Sequence, residues 1–177
     1  MAASSRLFHA VVVARDLLPT RRRLHAHCDI PCGIYDPHEA QIAALTTLRM
    51  CQLIAEVPKL TPEMKPEERL AAVSKLSRYQ VVKEQHAEKA KHELRVIWGD
   101  YVTPDHLKQW PNLHEMFFKA MKAASKVRQG TATADAQELL GQVQAIAEIF
   151  WQTKGAKTHR LPSMQKSGGE IVYPAPA

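Results

Sequence analysis

The sequence predicts an all-α protein, an antiparallel four-helix bundle with a short hook of non-helical chain on its N-terminal side. Apolar residues recur every three or four positions along four long segments, the spacing that places them on one face of a helix. No segment shows the alternation of apolar and polar residues that is typical of a strand. The connections between the four segments are short, as antiparallel neighbours require. At 177 residues, the chain is most simply one domain with a buried core.

The first helix is predicted to start at Asp36 and to end near Val57. Asp36 is expected to be the N-cap, with Pro37 at the first helical position and Glu39 closing a capping box. Its apolar positions are Ile42, Leu45, Leu48 and Cys51. We interpret Cys51 as a small buried residue rather than a metal ligand, because it lies on this apolar face.

A second, longer helix is predicted from about Glu67 to Trp98, where Gly99 ends it. Its apolar side is formed by Leu70, Val73, Leu76, Ala87, Ala90, Leu94 and Ile97. Three prolines between the first and second helices indicate a loop, since proline interrupts helical hydrogen bonding.

Two more long helices are predicted in the second half of the chain, preceded by a short helical turn that starts at Thr103. The third long helix runs from about Pro111 to Arg128, and Gly130 separates it from the last one. The inward-facing positions of these two helices are Leu113, Met116, Phe117, Ala120, Ala124, Val127, Leu139, Val143, Ile146 and Phe150. Residues 155–177 are rich in Gly, Pro, Ser and Lys and are predicted to be a disordered tail.

Most of the net charge of +6 resides in residues 1–26. That segment holds five arginines and one acidic residue, whereas the rest of the chain has 19 basic and 17 acidic residues. We therefore expect no nucleic-acid partner, because no basic stripe with interleaved aromatic residues remains. We expect no membrane partner, because no apolar run has the length of a span. Residues 1–26 are interpreted as a leader that a peptidase removes. This leader is not a typical secretory signal, because its apolar patch comes before the arginines rather than after them.

The segment after this leader, H-C-D-I-P-C-G-I-Y-D-P from His27 to Pro37, concentrates metal-binding groups. If the bond between Ala26 and His27 is cleaved, His27 gains an α-amine. This amine, the backbone nitrogen of Cys28 and the thiolates of Cys28 and Cys32 form one donor set, with the imidazole within reach. Such donors suit a square-planar metal such as Ni(II) or Cu(II) better than tetrahedral zinc. Each donor must lose a proton, from free pKa values of about 7.7–8.0 for the amine and about 8.5 for the thiols, so metal binding is expected to weaken as pH falls.

This run resembles the metal-binding hook of the nickel superoxide dismutase family, whose members share H-C-x-x-P-C-G-x-Y. Five downstream motifs strengthen the resemblance: Lys83-Glu84-Gln85, Ala90-Lys91-His92, Trp98-Gly99-Asp100-Tyr101, Pro111-Asn112-Leu113-His114 and Ile149-Phe150-Trp151. We therefore expect the domain to occupy residues 27–154, with the hook at 27–35.

The resemblance implies an enzyme, a superoxide dismutase that converts superoxide into oxygen and hydrogen peroxide by Ni(III)/Ni(II) cycling. It implies one nickel ion per subunit, with His27, Cys28 and Cys32 as ligands, and assembly as a homohexamer. Two thiols kept reduced as ligands favour a cytoplasmic location, with an organelle as the alternative if the arginine-rich leader is a transit peptide.

Three further residues are assigned to the site by the same resemblance. Tyr35 is expected beside the open face of the metal, where it orders a small anion or water. Asp29 is expected to contribute through its backbone amide. Tyr101 matches a second family tyrosine near the metal, although packing in the core at the end of a helix is an equally weighted alternative.

Three positions depart from the family's pattern. A glutamate and an arginine that orient the axial imidazole in the best-known members correspond to Ala43 and His86 here. A family lysine after the Asp-Tyr pair corresponds to Thr103, which weakens the expected steering of superoxide by positive charge. Partners of this kind commonly change a metal site by about 10–100-fold.

Two other functions are therefore considered. A non-catalytic nickel-binding or storage bundle would keep the hook with altered surroundings, as Ala43 and His86 suggest. A dithiol redox pair of Cys28 and Cys32 is disfavoured, because three residues separate the cysteines and no thioredoxin-like strand pattern is present.

Overall fold

The computed structural model describes residues 32–175, and the chain divides into two units, Met1–Cys32 and Gly33–Ala177. Every element below belongs to the second unit, which is mostly helical. The helices are α1 (His38–Ala55), α2 (Pro66–Val96), α3 (Pro104–Gln109), α4 (Leu113–Gln129) and α5 (Thr133–Thr153), with a π-helical segment, Ile97–Tyr101, directly after α2. Two strands follow, β1 (Thr158–Pro162) and β2 (Glu170–Pro174). In this part of the chain, no helix is both long enough and apolar enough to cross a bilayer.

The four long helices pack pairwise around one core. α1 lies against α2 and α5, and α4 lies against the same two helices. The core is filled mainly by alanine and by larger aliphatic and aromatic side chains, among them Leu48, Leu94, Phe117, Val127, Leu139, Val143 and Ile146. The predicted inward positions of α4 and α5 are confirmed as buried, except Met116, which is half-buried. Cys51 is fully buried, as expected.

The start of α1 differs in detail from the predicted cap. The helix begins at His38 with Pro37 as the N-cap residue, and the Asp36 carboxylate accepts a hydrogen bond of 2.7 Å from the His38 backbone N–H. Asp36 therefore caps the helix from one position earlier in the chain than usual. Glu39 does not complete a capping box, because its carboxylate is paired with Lys89 on α2.

α2 packs through a different stripe from part of the predicted one. Ala87, Ala90 and Leu94 are buried, as expected, but Leu70 and Val73 are 72% and 42% exposed. At about 100° per residue, Leu70 lies on the far side of the helix from the packed stripe and Val73 lies beside its edge, so the predicted pattern was broader than the face that packs. Gly99 does not end the helix, because the chain continues through the π-helical turn to Tyr101.

A buried lysine connects α2 to the end of α4. Lys83 is 0% exposed, and its ammonium donates hydrogen bonds to the carbonyl oxygens of Arg128, at 3.1 Å, and Gly130. Desolvation lowers the pKa of this ammonium below its ordinary value of 10.5. These carbonyls lie where α4 ends and lack helical partners, so Lys83 satisfies the carboxyl end of that helix.

The predicted absence of strands and the predicted disordered tail are wrong for residues 158–174. β1 and β2 pair antiparallel, with Arg160 opposite Val172, and Ile171 and Val172 are 2% and 1% exposed. The hairpin lies along α1 and α5: the Gln144 side chain donates 2.8 Å to the Glu170 carbonyl, and Arg160 pairs with Glu148 at 2.6 Å. Composition suggested disorder, but long-range polar contacts to the helices hold this segment in place.

Candidate metal centre

The described part of the hook begins at Cys32. His27, Cys28 and Asp29 lie outside the described residues, whereas the side chain of Cys32 is exposed. Gly33 follows it with a φ of +73°, a left-handed conformation that glycine adopts without steric cost. The backbone therefore turns directly after the second predicted thiol ligand.

The donor set predicted for the hook fits nickel. An amine, an amide nitrogen and two thiolates are the strong, partly soft donors that favour a square-planar d⁸ ion. Across residues 32–175, no three His, Cys, Asp or Glu side chains converge as a metal ion would require. His106 and His114 have structural partners instead: His106 forms a capping box with Thr103 at the start of α3, and His114 accepts a 2.7 Å hydrogen bond from Trp98.

The two tyrosines predicted for the site lie in contact, although 66 positions separate them in the sequence. The ring centroids of Tyr35 and Tyr101 are 5.5 Å apart with an interplanar angle of 51°. Both rings are half-buried. The contact brings the residue at the end of the hook against the π-helical end of α2.

Tyr101 is held in place by the carboxyl end of α5. Its hydroxyl lies 2.6 Å from the hydroxyl of Thr153, which in turn donates 2.6 Å to the Phe150 carbonyl and so leaves its oxygen to accept from Tyr101. The ring also contacts Phe150, at 4.7 Å between centroids, and His106, at 5.2 Å. Tyr101 is thus a packed aromatic residue at the end of a helix, and it also contacts Tyr35.

Ala43 and His86 occupy neighbouring positions on α1 and α2. The Glu39–Lys89 pair fixes the register of these helices, and both residues lie about one turn further along in the same direction. Ala43 is 1% exposed, and the His86 Nδ1–H donates 2.9 Å to the Val82 carbonyl of its own helix. His86 therefore keeps only its Nε2 atom for any contact outside α2.

Two residues near Tyr101 were missed by sequence reasoning. Thr153 and Lys154 end α5, and the Lys154 ammonium lies 5.3 Å from the centroid of the Tyr101 ring. The available signal was their spacing, since they follow Phe150 by three and four positions and therefore share its face of the helix. This spacing could not show that Tyr101 would pack there.

The fold and this arrangement define a mostly helical protein in which Tyr35, three positions after the exposed Cys32, contacts Tyr101 at the end of a long helix. The sequence profile described as "Nickel-containing superoxide dismutase" matches residues 22–154. A protein named "Superoxide dismutase [Ni]" from Streptomyces seoulensis is 37% identical over 143 residues, which cover 79% of this chain and 97% of that protein. A protein of the same name from Streptomyces coelicolor is 36% identical over 131 residues, covering 74% and 90% of the two chains.

Solved structures of nickel-containing superoxide dismutases are also similar to this chain. A crystal structure of a nickel-containing superoxide dismutase, with nickel ligation corresponding to the state after partial X-ray-induced reduction, matches with a TM-score of 0.63 and 38% identity. The match covers 73% of this chain and 100% of that one. A native nickel superoxide dismutase structure matches with a TM-score of 0.59 and 35% identity, over 72% and 99% of the two chains. This chain belongs to the nickel-containing superoxide dismutase family.

Proposed function

We propose that this protein is a nickel-dependent superoxide dismutase. It converts two superoxide ions and two protons into one molecule each of oxygen and hydrogen peroxide. Its fold is an antiparallel four-helix bundle that carries the N-terminal hook. The observation that supports the site most directly is the contact of Tyr35 with Tyr101, because it brings the end of the hook to one end of the helices.

The hook supplies the ligands in this proposal. The α-amine and imidazole of His27, the backbone nitrogen and thiolate of Cys28 and the thiolate of Cys32 hold one nickel ion per chain. When bound, nickel supplies one-electron redox chemistry, accepting an electron from one superoxide ion and returning it to the next. Gly33, with a φ of +73°, lets the chain turn directly after Cys32 in a left-handed conformation that glycine adopts without steric cost.

The tyrosines and a backbone amide order the small anion. The Tyr35 hydroxyl donates a hydrogen bond to superoxide or to the water that replaces it, and the Asp29 backbone N–H contributes a second donor. Tyr101 acts as a positioning residue: its ring packs on Tyr35, and Thr153 fixes its hydroxyl at 2.6 Å. Donors held in this way need no reorganisation when the anion arrives.

Processing and assembly complete the proposal. A peptidase removes residues 1–26, because the α-amine of His27 does not exist before cleavage. Six subunits assemble so that neighbours support a hook too short to hold its own shape. The enzyme works in the cytoplasm, where thiols stay reduced.

The first test is the chemical composition of native protein. Intact mass, N-terminal sequencing and metal analysis of one sample are expected to give His27 as the first residue and about one nickel ion per chain. Sedimentation of the same sample is expected to give a hexamer. A nickel-loaded, active protein that still carries Arg21–Ala26 would overturn the proposed ligand set.

The second test compares cysteine variants of the cleaved protein. Exchange of both Cys28 and Cys32 for serine is expected to abolish nickel binding and superoxide disproportionation. The matched control is Cys51→Ala, which alters a fully buried thiol of α1 and is expected to retain both. Full activity in the double serine variant would exclude the mechanism.

Nickel storage is the second candidate function, favoured by Ala43 and His86, two departures from the family's pattern. Ala43 offers no polar group, and one nitrogen of His86 is engaged by its own helix. Full nickel occupancy without disproportionation of superoxide in the cleaved protein would establish storage in place of catalysis.

A further inference from the structure

An exposed cation lies over the ring of Tyr101. The Lys154 ammonium is 5.3 Å from the centroid of Tyr101 and 5.1 Å from that of Phe150. Both distances fall within the range in which an ammonium is attracted to the face of an aromatic ring. The charge therefore lies next to the tyrosine pair and remains open to solvent.

The backbone of Lys154 is fixed by the way α5 ends. Gly155 has a φ of +74°, and its N–H donates 2.9 Å to the Gln152 carbonyl, while the Ala156 N–H donates 3.0 Å to the Trp151 carbonyl. This pair of hydrogen bonds is the Schellman motif, which terminates a helix with glycine in the left-handed conformation. Lys154 occupies the C-cap position of this motif, so its backbone is held by the helix and by the turn.

The charge of Lys154 is not neutralised by a short-range partner in the described part of the chain. None of the ion pairs found among residues 32–175 includes it. An exposed ammonium without a carboxylate partner attracts anions over roughly a Debye length, which is about 10 Å at 0.1 M salt.

We propose that Lys154 steers superoxide electrostatically toward the Tyr35–Tyr101 pair. This inference rests on the proposed function, because superoxide is the anion to be attracted. A fixed charge near the entrance to a site raises the local concentration of an oppositely charged substrate and the rate of encounter. Lys154 acts before the chemical step, by attracting the anion, and takes no part in the electron transfer.

A purely structural role makes different predictions. A cation at the carboxyl end of a helix interacts favourably with the helix dipole, so Lys154 also stabilises α5. Loss of that interaction alone would lower the melting temperature. It would leave the salt dependence of the reaction unchanged, because the reaction rate would not depend on the charge.

The kinetic experiment measures kcat/KM of the cleaved, nickel-loaded protein against ionic strength. At low salt, Lys154→Gln is expected to lower kcat/KM about twofold and Lys154→Glu about fourfold, from Coulomb energies in water at ~8 Å. Lys154→Arg keeps the charge and is expected to retain the wild-type value. All four proteins are expected to converge at about 1 M salt, where the Debye length is about 3 Å.

The matched control is Lys166→Gln, which removes one charge from an exposed lysine in the loop between β1 and β2. This loop contacts the C-terminal half of α1, since the Gln52 side chain donates a hydrogen bond of 3.0 Å to the Ser167 carbonyl. Lys166→Gln is expected to leave kcat/KM and its salt dependence at wild-type values. Identical salt dependence in wild type and Lys154→Gln would overturn the proposal.

A second measurement needs neither nickel nor turnover. In the metal-free full chain, nuclear relaxation of the Tyr101 and Val102 amide protons is measured with an anionic and with a neutral nitroxide. The ratio of the two enhancements reports the local potential, and it is expected to fall in Lys154→Gln but not in Lys166→Gln. An unchanged ratio in Lys154→Gln would overturn the steering role. A fall in the ratio in a protein that does not disproportionate superoxide would support the attraction of anions and overturn the proposed function.

Discussion

The side-chain amide of Gln41 forms hydrogen bonds with both the N–H and the carbonyl of Val172, a residue 131 positions away. Its Nε2 donates 3.1 Å to the Val172 carbonyl, and its Oε1 accepts 2.7 Å from the Val172 N–H. Both residues are 1% exposed, so neither hydrogen bond can be replaced by bulk water. This contact explains how a two-stranded hairpin, which is marginal by itself, is ordered against the helices.

Replacement of Gln41 by leucine is therefore expected to destabilise the protein by about 2–4 kcal/mol, because two buried backbone groups lose their partners. Urea unfolding of the full chain measures this loss. The control is Gln52→Leu, which removes a half-buried hydrogen bond to Ser167 and a long one of 3.3 Å from Arg49. Because these groups remain accessible to water, the loss should be about 1 kcal/mol or less. Equal losses in the two variants would mean that the hairpin does not depend on Gln41.

Two neighbouring glycines in the hairpin loop allow a matched pair of alanine substitutions. Gly168 and Gly169 have φ values of +69° and +75°, so alanine at either position carries a backbone cost of about 1–2 kcal/mol. A Cβ atom at Gly169 would also lie 3.0 Å from Leu140 and 3.2 Å from Leu45, both packed in the core, whereas a Cβ at Gly168 meets nothing within 4 Å.

We expect Gly169→Ala to destabilise the protein more than Gly168→Ala, by up to about 1 kcal/mol for the displaced leucines. Thermal unfolding of both variants under one set of conditions gives the comparison. A larger loss in Gly168→Ala would contradict the close packing of this loop on α1 and α5.

The contact between Tyr35 and Tyr101 predicts an energetic coupling. Leucine at either position removes one ring, and a double-mutant cycle is expected to give a coupling of about 0.5–1.5 kcal/mol in the free energy of unfolding. The control cycle pairs Tyr35 with Tyr79, which is 22 positions before Tyr101 along continuous helix and therefore ~30 Å away. That cycle should be additive, and a coupling near zero for Tyr35 and Tyr101 would argue against their contact in solution.

The buried thiol of Cys51 predicts a loss of stability at alkaline pH. Desolvation raises its pKa above the ordinary value of 9.0, although the neighbouring Lys83 ammonium acts in the opposite direction. Above about pH 9 the unfolded chain has released this proton while the folded chain retains it. Since the folded state then binds more protons, stability falls as pH rises, with a limiting slope of about 1.4 kcal/mol per pH unit.

The measurement is the free energy of unfolding of wild type and Cys51→Ala between about pH 8 and 10. As pH rises, the free energy of unfolding of wild type is expected to fall relative to that of Cys51→Ala. The other ionisable groups are the same in both proteins, so the change reports the thiol. Native Cys51 should also resist alkylation throughout this range. A difference that does not change with pH would show that the thiol titrates equally in both states.

The sequence by itself determined the helices and predicted the chemistry of the hook. Four apolar stripes with helical spacing located α1, α2, α4 and α5 to within a few residues, because burial of one helix face leaves that period in any sequence. The run from His27 to Tyr35 places its candidate donors so close together that their order along the chain is enough to predict metal binding. A motif of this kind is local and needs no partner to be recognised.

Only the tertiary structure decided how distant segments meet. The hairpin of residues 158–174 depends on polar contacts with Gln41 and Gln144, and local composition carries no signal for such partners. Likewise, Tyr35, Tyr101 and Lys154 come from three separate segments, and spacing within one segment cannot show which helix ends share a side of the molecule. The period of a helix is a local property of the sequence, whereas the approach of two surfaces depends on the packing of every element between them.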